Sequence, residues 1–177
     1  MSRAQGLVAH VAEIRRHVGE QRQVVETIGV DELWPEPIEL VSFGVRVAPE
    51  TELAVDLFLE SVSGGVTVVG TVTGRWTGVC RRCLTDVAGD LSVAIDETFE
   101  DRPTEGETYP ITGDTMDLAP MVAESLLLAL PPAPLCRDDC VGPEPDAFPV
   151  IIESDDALPP RDARWAGLDE LRESLDP

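Results

Sequence analysis

The sequence predicts an α+β fold, a mostly antiparallel β meander or partly open barrel with one packed helix and a zinc-knuckle pair. Between residues 39 and 100, runs rich in Val and Thr alternate apolar and polar residues, as half-buried strands do. One later stretch, residues 117–130, has helical spacing and ends at two prolines. Two short segments, CRRC at 80–83 and CRDDC at 136–140, contain every cysteine.

The N-terminal residues predict short elements. We expect a strand near Leu7 to Val11, a short helical turn through Arg16, and a second strand around Gln23 to Ile28. A single helix over residues 8–18 is the alternative, because apolar residues there also recur at helical spacing. The segment ELWPEPIEL contains two prolines and predicts a connector.

The central part of the chain predicts a strand meander. The segments ELVSFGVRV and TELAVDLFLESV alternate as half-buried strands, and SGG at 63–65 predicts a turn. The run GVTVVGTVTGRWTGVC should pair back as a hairpin and place Cys80 at its end. CRRC then lies in the turn before the next strand, LSVAIDETFE.

A helix should connect the two cysteine segments. Residues 100–115 are acidic and turn-rich, and predict a loop or an irregular edge. Asp117 is a candidate N-cap, and Pro131 ends the helix that follows. Packed on the sheet, this helix can bring CRDDC against CRRC. The apolar residues of its predicted stripe are Leu118, Val122, Leu126, Ala129 and Leu130.

The composition predicts one domain over residues 1–141 and an acidic, proline-rich tail over 142–177. Five prolines and many acids lie between Gly142 and Trp165, and WAGLDELRESL could form a short terminal helix. Such a composition buries little apolar surface, so we expect a loosely ordered tail until it meets a partner.

A net charge of -21 restricts the classes of partner. A strongly negative surface repels nucleic acid and anionic membranes and attracts basic proteins or cations. The N-terminus has no continuous apolar run of signal-peptide type, so we expect a cytoplasmic protein that does not contact membranes. Structural disulfides are unfavourable in a reducing cytosol, so the four thiols need another explanation.

The four cysteines, Cys80, Cys83, Cys136 and Cys140, predict one structural zinc ion as cofactor. Zinc takes four thiolates in a tetrahedron, and a short spacer between two cysteines turns both sulfurs toward one point. Two alternatives stay open: a redox pair formed by Cys80 and Cys83, and thiols that are simply reduced and buried. A thioredoxin-like CxxC normally opens a helix in a βαβ unit, and the sequence shows no such unit.

An arginine and aromatic cluster lies beside CRRC. Residues 61–85 contain no acid but carry Arg75, Trp76, Arg81 and Arg82, which could grip phosphate and stack on a base. The alternative is that these arginines neutralise a zinc tetrathiolate and pair with nearby acids. No catalytic motif is present, which predicts a protein that is not an enzyme. Glu124 lies on an otherwise apolar helix and could pair with Arg82 or be exposed.

The run GRWTGVCRRCL, an acidic loop, and DLAPMVAESLLLALPPAPLC followed by RDDC together resemble the YceD family, the large-subunit ribosomal RNA accumulation proteins of bacteria and plastids. The resemblance spans residues 7–140 and more weakly DARWAGLDEL. By motif, Cys80, Arg82, Cys83 and Leu84 match the family's first knuckle, Cys136 and Cys140 match its second, and the helix matches at Asp117, Leu118, Glu124, Leu130 and Pro131. Many relatives continue with further cysteines, whereas this chain continues VGPEPDAFP.

This resemblance implies a non-enzymatic factor needed for 23S ribosomal RNA accumulation and large-subunit assembly. The family gene often lies beside that of a small zinc-ribbon protein of the large subunit. Together with the negative charge, this implies a basic large-subunit ribosomal protein, such as the zinc-ribbon one, or a precursor particle as the partner. The effect on RNA would then be indirect. Direct RNA binding through the arginine cluster and thiol oxidoreductase activity are the competing hypotheses.

Overall fold

Nine strands and one long helix build the part of the chain that the structure describes. The computed structural model describes residues 6–33, 40–143 and 147. The strands are β1 (Val8–His10), β2 (Gln21–Gly29), β3 (Leu40–Ser42), β4 (Val45–Val47), β5 (Glu52–Val62), β6 (Gly65–Val79), β7 (Asp86–Glu100), β8 (Tyr109–Thr112) and β9 (Thr115–Asp117). The helices are a 3-10 turn (Ile14–Arg16), α1 (Val30–Leu33) and α2 (Ala119–Ala129).

The strands form one sheet that curls into an open half-barrel. Seven of them follow the order β1-β9-β8-β7-β6-β5-β2, and all these pairs are antiparallel except the parallel β7–β8 pair. Toward its end β6 also pairs with β4, which in turn pairs with β3. The β6–β7 ladder runs over the full length of both strands, from Gly65↔Glu100 to Val79↔Asp86. These two strands therefore connect the middle of the barrel to the CRRC turn.

Period-2 alternation places the core on the inner face of the sheet. Along β5 every second residue from Leu53 to Leu59 is buried, while the residues between them face solvent. Helix α2 packs on β7 and β3 and buries Met121, Val122 and Leu126. The mostly β architecture with one packed helix, predicted from the alternation, is confirmed.

Two glycines permit the close contacts of the inner face. A Cβ at Gly74 would lie 2.7 Å from the Leu53 side chain, and one at Gly89 would lie 2.7 Å from the Trp76 indole. Trp76 and Gly89 are direct cross-strand neighbours, so the indole covers the gap that the glycine leaves. Trp76 is thereby packed against the core.

The N-terminal predictions are confirmed in type. β1 lies within the predicted strand, the 3-10 turn ends at Arg16, and β2 includes residues 23–28. The alternative of one helix over residues 8–18 is wrong. Val11 donates its N–H to the Asp114 carbonyl, so this stretch is hydrogen-bonded to the distant turn between β8 and β9.

Two local predictions differ from the structure. The segment ELVSFGVRV is not one strand, because the chain reverses between β3 and β4 at Phe43 and Gly44, with φ of 50° and 75°. Residues 100–115, predicted as a loop or an irregular edge, contain β8 and the start of β9. These strands are short and include Pro110, so only their partners β7 and β1 identify them.

The start of α2 also differs from the prediction. Asp117 ends β9, and Leu118 occupies the N-cap position without a side-chain cap. The Asp117 carboxylate still accepts a hydrogen bond from the Ala119 N–H at 3.0 Å, so it satisfies one free donor of the first turn. The end of the helix before Pro131 is confirmed.

Several expectations fall outside the described part of the chain. The connector prediction covers residues 32–40, of which 32 and 33 end α1, 40 begins β3 and 34–39 are not described. The tail prediction covers 142–177, of which only 142, 143 and 147 are described. The boundary between residues 141 and 142 stays a prediction. In the portions of the chain that the structure describes, no helix is both long and apolar enough to cross a membrane.

Candidate metal centre

The first cysteine pair lies in a tight turn between β6 and β7. The N–H of Cys80 donates to the Thr85 carbonyl at 2.8 Å, and the N–H of Leu84 donates to the Cys80 carbonyl at 3.0 Å. Leu84 is left-handed, with φ of 61°, which folds the chain back toward β7. The Cys80 sulfur accepts from the Arg82 N–H at 3.5 Å. The turn thus directs both sulfurs toward one side.

Hydrogen bonds attach the second cysteine segment to this turn. The N–H of Arg81 donates to the carbonyl of Pro134, two residues before Cys136, at 2.9 Å. The Arg82 guanidinium donates to the Cys140 carbonyl at 2.7 Å. Arg82 therefore connects the two segments through a backbone carbonyl.

The four sulfurs meet in one cluster. All four Sγ atoms lie within 4.8 Å of one another, with Cys80–Cys140 at 3.8 Å and Cys83–Cys136 at 3.6 Å. Zinc bonds of about 2.3 Å in a tetrahedron place sulfurs about 3.8 Å apart, whereas a disulfide needs about 2.05 Å. The thiols are free, and their spacing fits a tetrahedral metal ion.

Electrostatics at the cluster favour thiolates at one pair. The Cys83 backbone N–H is the main cause that lowers the pKa of the Cys80 thiol to about 6, and the Thr85 hydroxyl lowers the pKa of Cys83. Hydrogen bonding with Cys140 and Cys83 raises the pKa of Cys136 to about 12. Four thiolates would repel one another, so a bound cation is needed to hold all four deprotonated.

A closed, sulfur-only donor set is typical of a structural site. Cys80 and Cys140 are buried, Cys83 is half-buried and Cys136 is exposed. All four positions of a tetrahedron are filled by protein, which leaves no open position for substrate. The cluster can hold a metal ion, and a tetrahedral set of four sulfurs is typical of zinc or iron–sulfur sites. Such an ion would crosslink the β6–β7 turn to the segment that follows α2.

Comparison with known proteins identifies the family. Residues 68–172 match the family model described as "Large ribosomal RNA subunit accumulation protein YceD". The chain belongs to this family. The matched range includes both cysteine segments, and membership suggests a ribosome-associated function. The resemblance deduced from GRWTGVCRRCL and the helix motif is confirmed.

Curated relatives of the chain are uncharacterized proteins. One from Mycobacterium bovis is 37% identical over 127 residues, which cover 67% of this chain and 61% of the relative. One from Mycobacterium tuberculosis gives the same values. YlbN of Bacillus subtilis is 26% identical over 108 residues, covering 57% of this chain and 63% of the relative. The chain thus spans less than two thirds of these relatives. No solved structure matches the chain.

The predicted arginine cluster does not form one surface. Arg75 and Trp76 point to opposite faces of β6, since Arg75 is exposed beside Asp90 at 3.6 Å while Trp76 packs against the core. Arg81 donates to the Phe43 carbonyl, and Arg82 to that of Cys140. The proposed stacking platform beside Arg75 is therefore absent from β6. Among the described residues, the alternative of pairing with acids holds for Arg75 alone.

The structure places the remaining predicted residues on the helix and beside it. Of the two alternatives for Glu124, exposure is confirmed and pairing with Arg82 is wrong. Its carboxylate accepts a hydrogen bond from the Tyr109 hydroxyl at 2.7 Å. Leu118 is fully buried, and its N–H donates to the Leu7 carbonyl at 2.8 Å. Leu118 therefore links the start of α2 to β1.

Sequence reasoning missed three groups that shape the site. The Thr85 hydroxyl lies 3.0 Å from the Cys83 sulfur, and the carbonyls of Pro134 and Phe43 accept hydrogen bonds from Arg81. Thr85 follows CRRCL directly, so the habit of hydroxyl residues to bond nearby groups could have suggested it. No sequence signal identifies Phe43, because it contributes only its backbone carbonyl. That carbonyl lies in the turn between β3 and β4, far from CRRC in the sequence.

Proposed function

We propose that this protein is a non-enzymatic ribosome biogenesis factor that promotes 23S ribosomal RNA accumulation and large-subunit assembly. It acts by binding a basic large-subunit ribosomal protein, such as the small zinc-ribbon one, or a precursor particle. The observation that carries the proposal is membership of the YceD family in a chain of net charge -21. A surface of that charge attracts basic proteins and repels RNA.

One zinc ion is the proposed cofactor, held by Cys80, Cys83, Cys136 and Cys140. When bound, it supplies a crosslink and no reaction chemistry, because the donor set is closed. The donor set and the spacing of the sulfurs support this role. In this proposal the effect on ribosomal RNA is indirect, since free ribosomal protein is protected or delivered before it meets RNA.

Capture from cells tests the direct partner. The tagged full chain is purified from its own cells without chelator, treated with nuclease, and analysed by mass spectrometry. Basic large-subunit proteins that stay bound after nuclease are the expected result. Recovery of RNA alone, with no ribosomal protein left after nuclease, contradicts the proposal. Loss of RNA binding in an Arg75→Glu variant, whose side chain is exposed and outside the metal centre, would favour direct RNA contact instead.

Depletion tests the cellular role. Loss of the protein should lower 23S relative to 16S ribosomal RNA, and the wild-type chain should restore the ratio. Full restoration by a variant that lacks all four cysteines would show that the metal centre is not needed for this role. Rapid alkylation of Cys80 in the purified protein, unchanged by chelator, would instead favour the oxidoreductase hypothesis.

A further inference from the structure

The open side of the half-barrel is a groove between its two edge strands. β1 and β2 end the seven-strand path, and each pairs with one neighbour in that path. A groove of about 500 Å³ lies between them. At one end the Arg22 guanidinium donates to the His10 carbonyl at 2.8 Å. Its lining includes Val8 and His10 on one side and Glu26, Thr27, Ile28 and Glu32 on the other. We call this groove the seam.

The backbone of β2 offers free hydrogen-bonding groups to the seam. Ser61 donates to the Glu20 carbonyl at 2.9 Å and Val30 donates to the Thr51 carbonyl at 3.0 Å. These two bonds show which residues of β2 bond to β5. The N–H and C=O groups of its even-numbered residues face β5. The N–H and C=O groups of Thr27 therefore face away from β5. In residues 6–33 and 40–143, no strand pairs with this edge of β2.

The hydrogen bonds of β1 to β9 likewise show which of its backbone groups face the seam. Leu118 donates to the Leu7 carbonyl at 2.8 Å, and Val11 donates to the Asp114 carbonyl at 2.9 Å. Odd-numbered residues therefore bond to β9, and the Val8 carbonyl faces the seam. The Val8 N–H already donates to the Gly6 carbonyl at 3.1 Å, so β2 is the wall whose backbone donors an added extended chain can use.

The side chains of the seam are acidic and exposed. Glu26 shares the inner face of β2 with the buried Val24 and Ile28, yet it is exposed to solvent. Glu32 lines the same groove from α1. Inward-facing charges on an edge strand can prevent unwanted strand pairing. Where those charges are carboxylates on a protein of net charge -21, they also select a basic chain.

We propose that the seam receives an extended, lysine- or arginine-rich segment of a partner protein, which adds to β2 as a strand. Backbone hydrogen bonds to residues such as Thr27 provide affinity, and Glu26 and Glu32 select basic side chains at alternate positions. This inference deepens the proposed function and rests on it only for the partner's ribosomal origin. It assigns the binding of that partner to one edge of the sheet.

A synthetic peptide tests strand addition directly. The probe is a twelve-residue peptide of alternating Lys and Thr, added to the full chain while amide hydrogen exchange is followed by NMR. At saturation, the amides of Val25 and Thr27 should exchange at least about tenfold more slowly, because strand pairing protects them. The Arg46 amide, which lies outside the seam, should not change.

Two variants separate strand pairing from charge. Thr27→Pro removes an N–H that the β2–β5 ladder does not use, so the fold should persist while peptide binding weakens at least about tenfold. Glu26→Lys should weaken binding similarly. Asp96→Lys makes the same charge change on the exposed outer face of β7, and should weaken binding less than about twofold.

Each contrary result overturns the inference. Equal losses in Glu26→Lys and Asp96→Lys would mean general charge attraction. A Thr27 amide already protected in the isolated protein would mean that the chain's own residues fill the seam. If Thr27→Pro still captures the basic ribosomal protein, the seam inference fails and the proposed function stands. If the peptide binds as expected but no ribosomal protein is captured, the proposed function fails and the seam stands.

Discussion

The middle of the half-barrel and its cysteine end are stabilised in different ways. Around Phe99 the sheet and α2 bury apolar side chains completely. At the cysteine end Cys80 is buried, but the neighbouring Phe43 and Leu84 are 68% and 70% exposed. Apolar burial stabilises the first region, whereas the second contains four sulfurs that can hold a metal ion. Removal of the metal and disruption of the core should therefore destabilise different regions, although β6 and β7 run through both.

Metal removal should have the largest effect, and should affect only one region. Structural zinc contributes about 10 kcal/mol apparent in small peptides, and the independent core here should reduce that loss. Chelation should remove amide protection from residues 80–85 and 134–141, while the centre of the β5–β6–β7 sheet stays protected. Native mass spectrometry should show one zinc per chain, and hydrogen exchange measures the rest.

Single cysteine substitutions sharpen this result. Cys83→Ser and Cys136→Ser should lower stability nearly equally, because each removes one ligand of the same ion. A harmless Cys136→Ser would show that the two segments do not share a metal. Global unfolding on chelation would contradict the separation of the two regions.

Truncation in the core should have the next largest effect. Phe99 is fully buried and its ring stacks on Tyr109 with centroids 5.2 Å apart. Phe99→Ala should lower the free energy of unfolding by about 3–5 kcal/mol, measured by urea denaturation, and should keep the bound zinc. Phe58→Ala is the matched control, since Phe58 is 43% exposed on the outer face and should cost less than about 1 kcal/mol. Loss of zinc from Phe99→Ala would contradict the separation.

The smallest effect concerns the contact between β8 and α2. Burial, followed by the hydrogen bond to Glu124, raises the pKa of Tyr109 above its usual range. Because the folded pKa exceeds the unfolded one, this stability is fully present below about pH 10 and is lost as the pH rises further. In Tyr109→Phe, the free energy of unfolding measured by urea denaturation should fall less steeply above about pH 10. The chain has one tyrosine, so tyrosinate absorbance reports its ionisation directly.

The strands were predictable wherever alternation was long and regular. The residues of β5 and β6 carry their own pattern, and their hairpin follows from the turn at 63–65. β8 and β9 were not predictable, because strands of four and three residues are specified by the neighbours that they bond. The turn at Phe43 was not predictable either. A bulky residue rarely adopts a positive φ, so the local sequence does not indicate a turn there.

The sequence by itself determined the family, the four thiols and the negative charge, because residue types and short spacings are local properties. Only the tertiary structure decided that the two thiol pairs meet, that Trp76 faces the core away from Arg75, and that β1 and β2 leave a seam between them. These relations join residues far apart in the chain. They depend on how the sheet curls and which strands pair, and no local pattern specifies that.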